Sequence, residues 1–164
     1  MSSLSLNPQG LPYPDPIHPI MVHFVIAMVF FAFVCDVLGY LTHRPRLFEV
    51  SFWNLMVATI SIFLAVLFGQ FEAGLAQPYA AAQSTLSFHT IVGWLLAALV
   101  VGMTAWRFAM RHQNPLKLSP AYLGVSTFLS CLVFFQMMLG SQLVWVYGLH
   151  VEAVVEATRQ GILK

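Results

Sequence analysis

Apolar residues gather into four long stretches, about Pro19 to Leu41, Ser51 to Phe71, Ser87 to Phe108 and Ala121 to Tyr147, with polar residues confined mostly to the segments between them. A helix that crosses a bilayer needs roughly 20 mostly apolar residues, so the pattern predicts four membrane helices. Prolines punctuate it. Pro12, Pro14 and Pro16 keep the start of the chain extended, and Pro19 suits a first helical turn, where its missing N–H is not needed. Pro45, Pro78, Pro115 and Pro120 fall in the connections, Ser87 is placed to cap the third helix, and Gly148 to end the fourth. Short connections make successive helices antiparallel neighbours. The expected fold is therefore all-α: one integral membrane four-helix bundle over residues 1–164, up-down-up-down, with a short arm (1–18) and a tail (148–164). The first stretch does not read as a cleaved signal, since no basic segment precedes it and no small-residue cleavage site follows.

Composition agrees with this class. The chain is 59% hydrophobic and only 8% charged, with a mean hydropathy of +0.80, far too apolar for a soluble globule of 164 residues. The basic residues then set an expected orientation. Arg44 and Arg46 lie in the first connection, and Arg107, Arg111 and Lys117 around the third; residues 1–43 and 72–87 contain no Lys or Arg. The positive-inside rule assigns the basic connections to the cytoplasm or stroma. Both termini would then lie on the outer, periplasmic or lumenal side of an inner, plasma or thylakoid membrane, against which Arg159 and Lys164 in the tail weigh little.

Histidines sharpen the picture. His18 and His23 open the first stretch, His89 the third, and His150 follows the fourth, so the bundle gathers all four at its outer end. Histidines in membrane segments are costly and usually functional. With helices beginning near Pro19 and Ser87, His23 and His89 come at matched depth, within roughly 6 Å of their helix ends. Two neutral imidazoles on different helices are what a b-type haem needs as axial ligands, and Gly93, one turn after His89, frees space for a macrocycle. His23 and His89 are thus the first-choice ligands, and His18 and His150 form a second pair or hydrogen-bonding neighbours. Glu72 and Gln70 close the second helix on the same side, and Glu72 is an alternative metal ligand or a partner for an imidazole N–H. With no outer Lys or Arg before Arg159, haem propionates would rely on Ser84, Thr85, Gln142 or Tyr147. The plainer alternative is that each imidazole bonds a neighbouring carbonyl or interfacial water.

Other polar residues signal less. Asp36, near the inner end of the first helix, is expected to reach Arg44 or pair with Arg107, with a proton-relay role as the lesser alternative. Cys35 and Cys131 lie singly on different helices, without metal or redox spacing. His43 and His112 sit in the basic connections, away from the cluster. Trp53, Trp94, Trp106 and Trp145 near the segment ends fit an aromatic belt. Nothing marks a catalytic nucleophile, a phosphate loop or a nucleic-acid surface, so the sequence points away from an enzyme and from nucleic acid.

The run His18-Pro19-Ile20-Met21-Val22-His23-Phe24-Val25-Ile26-Ala27 resembles the HPxxVHFPxA signature of the membrane family DUF2231. Asp36-Val37-Leu38-Gly39 is similar to that family's first-helix exit, His89 to its third-helix histidine, and the stretch from Gly140 to Val151 to its closing G-x-x-LVY-x-x-G-x-x-V element. Val25, Trp145 and His150 depart from the pattern. The resemblance, over about Asp15 to Val151, implies a small four-helix membrane protein, haem-binding and associated with respiratory or photosynthetic redox machinery. The expected function is that of an electron carrier or redox subunit, with the bilayer and a redox complex or soluble electron-transfer protein as partners and an oligomer left open. The rival is a haem-free scaffold or permease-like element whose outer histidines handle protons or an ion such as Cu or Zn.

Overall fold

A computed structural model describes residues 17–75, 78–149 and 151–163 of the chain. Four long helices, α1 (Ile17–Thr42), α2 (Pro45–Leu75), α3 (Ala80–Gln113) and α4 (Pro120–Trp145), are followed by a short one, α5 (Glu152–Arg159). All four long helices are apolar and long enough to cross a bilayer. They pack side by side in a closed square in chain order, which leaves α1 and α3 facing each other across one diagonal.

The helices outrun the apolar stretches, for local reasons. α1 and α2 are joined by only His43 and Arg44, with His43 in the left-handed region at φ 55°. Pro45 opens α2 instead of lying in a loop, as its fixed φ and absent N–H suit a first helical position. Pro120 does the same for α4, where the Ser119 hydroxyl accepts from the Tyr122 N–H. Ser87 is not a cap: α3 begins at Ala80, behind Pro78 and Tyr79. The Ala80-Ala81-Ala82 run favours helix strongly, and Gln83, Ser84 and Thr85 are polar without being helix-breaking, so hydropathy alone hides this first turn and a half. Beyond α4, Gly148 takes φ 65° and turns the chain toward α5, which lies in what the sequence marked only as a tail.

None of the four helices shows a clear apolar face, because lipid makes the outside as apolar as the inside. Ile60 and Ile91 are 62% and 64% exposed on the outer surface, while Val29, Ala32, Ala58, Val100 and Leu129 are packed at the centre. Small residues let the helices approach. The Thr59 and Thr104 hydroxyls join α2 to α3 at 2.8 Å. At the arginine end Arg111 grips Glu49 of α2 through two hydrogen bonds, at 2.9 and 2.6 Å.

Candidate functional site

At the histidine end, the four helices enclose a cavity of about 430 Å³. That lies within the range of roughly 300–1,000 Å³ of small-molecule and cofactor sites. Val25, Ile62, Leu96 and Val133, one from each helix, line its deep end, and exposed His23, Gln70 and Ser141 line its rim.

His18 and His89, from the diagonal helices α1 and α3, meet in this cavity with ring centroids 6.4 Å apart and ring planes at 83°. Each is held by its neighbours. His18 Nδ1 lies 2.7 Å from the Ala65 carbonyl of α2; a carbonyl only accepts, so Nδ1 carries a hydrogen there and Nε2 is the ring nitrogen left for a ligand. The His18 backbone N–H donates to Glu72 Oε1 at 2.9 Å. A buried carboxylate therefore caps the first turn of α1, where the helix dipole favours negative charge. Gly69, one turn after Ala65, lets the ring lie on bare backbone, since a Cβ there would sit 2.9 Å from His18 Cε1 and Nδ1.

The seat of His89 holds its backbone and not its ring. Its carbonyl accepts from the Gln136 amide of α4 at 2.9 Å, and Gly140, one turn further, would bring a Cβ to 3.3 Å from His89 Cε1. His89 Nδ1 and Gln136 Oε1 are both buried and without a hydrogen bond among the described residues. Both side chains line the cavity, so it offers unused polar capacity on an otherwise apolar wall.

The pairing differs from the one the sequence favours. His23 remains exposed at the rim, its Nδ1 bonded to the Pro19 carbonyl of its own helix. The reason is rotation about α1: five residues turn the helix by about 140°, so the face that brings His18 to His89 carries His23 to the rim, while the early start of α3 sets His89 nine residues past Ala80. Gln142 is exposed and lies outside the cavity wall, its carbonyl accepting from the Val146 and Tyr147 N–H groups at 3.0 and 3.1 Å. Gly93 lines the cavity, and a Cβ there would meet only Gln136 Nε2, at 3.4 Å. His150 lies outside the described residues. Among those residues, no group of three His, Cys, Asp or Glu is placed to hold a metal ion.

A clasp closes this end. Tyr79 donates to the Tyr147 carbonyl at 3.0 Å, and Thr85 to the Tyr147 hydroxyl at 3.3 Å. These bonds fix the chain beyond α4, from which Leu149 reaches the cavity. Residues 14–153, which take in the cavity and this clasp, match the family described as "Predicted membrane protein (DUF2231)". The chain belongs to the DUF2231 family. It matches no curated protein and no solved structure.

Within this DUF2231 chain, Ala65, Gly69 and Gln136 are residues that sequence reasoning passed over, and Gly140 enters it only as the start of the closing element; together they seat His18 and His89. A signal for them existed. Ala65 with Gly69, His89 with Gly93 and Gln136 with Gly140 are all i, i+4 pairs, each ending in glycine on one helical face. Read together, they mark one layer in which three helices leave room at the same depth.

Proposed function

We propose that this DUF2231 protein holds a b-type haem between His18 and His89 and serves as a one-electron carrier or redox subunit in its membrane. One observation carries the reading: two imidazoles from diagonal helices face each other at 6.4 Å inside an apolar cavity. Two imidazoles bonded to one metal at about 2.0–2.1 Å have ring centroids roughly 6 Å apart. The His18 Nδ1–H bond to Ala65 is also the outer-shell contact that ligating histidines typically make, fixing tautomer and ring orientation.

The donor set favours haem over a bare ion. A structural Zn site takes four protein ligands and a catalytic one three, whereas a haem brings four nitrogens of its own and would need from the chain only two imidazoles, which His18 and His89 would supply. Gln70, Ser141 and the rim residue His23 supply polar partners for propionates. Bound there, a haem would supply one-electron redox chemistry. The chain's own residues orient the His18 ring through Ala65, hold the His89 backbone through Gln136, and exclude water with Val25, Ile62, Leu96 and Val133. That apolar shell also sets the potential.

Arg44, Arg46, Arg107, Arg111 and Lys117 gather toward the opposite end of the bundle. Under the positive-inside rule they face the cytoplasm or stroma, and the histidine end the periplasm or lumen. A redox complex or soluble electron-transfer protein would meet the site from that side.

The test is the absorption spectrum of detergent-purified protein. Wild type should show a Soret band with sharp reduced α and β bands. His18→Ala and His89→Ala should each abolish the low-spin spectrum, while His23→Ala retains it with altered occupancy or potential. A colourless wild type after growth with ample haem overturns the reading, and bound Cu or Zn in metal analysis replaces it with an ion site.

A further inference from the structure

The opposite end of the bundle holds a second polar centre, and all four long helices contribute to it. Asp36 of α1 is fully buried, as are Ser51 of α2 and Tyr122 of α4, and Arg107 of α3 is 2% exposed. Arg107 Nη2 lies 3.9 Å from Asp36 Oδ1, well beyond the roughly 2.7–2.9 Å of a direct charge-assisted hydrogen bond. The Ser51 and Tyr122 hydroxyls face the same carboxyl without closing a hydrogen bond. Both Asp36 oxygens, both hydroxyls, and Arg107 Nε and Nη1 are therefore buried and unpartnered among the described residues.

A dry site of this kind is untenable. A buried polar group left unsatisfied keeps its full desolvation cost, more so if charged, and here several share one pocket. Ordered water resolves the deficit, since water enters where two to four polar partners converge. We propose that Asp36, Arg107, Ser51 and Tyr122 form a water-containing proton-exchange site at the arginine end, in which Asp36 takes up one proton from water on that side and returns it.

The arrangement suits a carboxyl that changes charge. On protonation one proton passes from hydronium to an Asp36 oxygen, leaving a neutral acid and water, and Arg107 loses its counter-charge. Its cation is held independently: Nη2 donates to the Phe48 carbonyl at 2.9 Å, and the guanidinium lies 5.3 Å from the Phe48 ring centroid and 5.7 Å from that of Tyr122. Such contacts stabilise a cation without a carboxylate. Cys35 is the titratable neighbour on α1 itself, and Glu49 is engaged by Arg111.

Exchange with the histidine end is blocked. Between this centre and the histidine cavity lies an apolar layer, one residue per helix: Val29, Ala58, Val100 and Leu129, each at most 2% exposed. The nearby Thr104 and Thr59 hydroxyls are spent on each other and on an own-helix carbonyl, that of Val100 or Leu55. The site thus stands whether or not the histidines hold haem.

The chain has two aspartates, Asp15 and Asp36, so carbon-13 labelling of aspartate carboxyls in Asp15→Asn protein isolates Asp36 without altering it. Infrared difference spectra of this protein in liposomes should show a labelled carboxylic C=O band that appears as pH falls and shifts in deuterated water. Asp36→Asn should lose it. Tyr122→Phe keeps the ion pair and removes a hydroxyl that can donate to the ionised form, so the band should titrate at higher pH; this variant carries the test if Asp36→Asn fails to fold. A carboxylate that stays ionised at every pH at which the protein remains folded, or a midpoint unmoved in Tyr122→Phe, overturns the proposal and leaves a structural ion pair.

Discussion

Gly69→Ala adds one methyl group, and the structure says where it goes. The new Cβ would lie 2.9 Å from both Cε1 and Nδ1 of His18, closer than side chains tolerate, against a ring pinned at 2.7 Å to the Ala65 carbonyl of the same helix. The ring must move, and the bond that holds it must lengthen or break. The bond itself is worth about 1 kcal/mol to stability. Its larger effect is on the ligand, because loss of such an orienting partner typically lowers metal affinity 10–100-fold, or about 1.4–2.7 kcal/mol. Gly124→Ala is the control, since a Cβ there meets nothing within 4 Å and alanine favours helix by up to about 1 kcal/mol. Gly140→Ala should fall between, with its contact to His89 at 3.3 Å. Titration of haem into apo-protein in detergent, followed at the Soret band, gives the affinities, and thermal melts give stability. If Gly69→Ala matched Gly124→Ala in both, the packing of His18 on bare backbone would be refuted.

Other consequences follow from the same geometry. Gly93→Leu keeps every proposed ligand yet puts a branched side chain into the cavity one turn from His89, so the helices should fold while haem content falls sharply; wild-type content would show that the ligand lies elsewhere. His43→Ala and His112→Ala, at the arginine end, should leave the spectrum unchanged, and a loss matching His89→Ala would move the site there. Asp36→Ala should destabilise the protein by less than the roughly 3–5 kcal/mol of a buried charge left with no compensation, because Arg107 keeps the Phe48 carbonyl and the Phe48 and Tyr122 rings; a loss of that full size in thermal melts would show that these contacts do not hold the cation. Cysteines at exposed Arg46 and Gln83 should be labelled by an impermeant reagent from opposite sides of the membrane, and labelling of both from one side would refute the four-span topology.

Much of the fold was legible in the order of residues. Four helices follow from four apolar stretches of spanning length, since in lipid nearly every backbone polar group must be satisfied within the helix itself. The placing of His18, His23 and His89 toward one end of the bundle follows from the alternation of helix direction. Asp36 was legible as a residue in need of a basic partner, because a carboxylate at that depth is costly alone, and of the two candidates, Arg44 and Arg107, Arg107 supplies it.

Which imidazoles meet was not legible. Hydropathy detects where a helix is apolar, not where it begins, so the polar first turns of α3 were read as loop and His89 was set too shallow. The pairing itself turns on rotation, since His18 and His23 lie about 140° apart around α1 and only one of them can face α3. The seats at Gly69 and Gly140 stayed hidden for a related reason. A glycine's meaning depends on which ring lies against it across a helix interface, and lateral packing between all-apolar helices leaves no periodic trace along the chain. The sequence by itself thus determined the class, the spans and the end at which the histidines gather, because backbone satisfaction in lipid is a local requirement. Only the tertiary structure decided that His18 faces His89, and that Asp36, Ser51, Arg107 and Tyr122 converge, because both depend on the relative depth and rotation of separate helices.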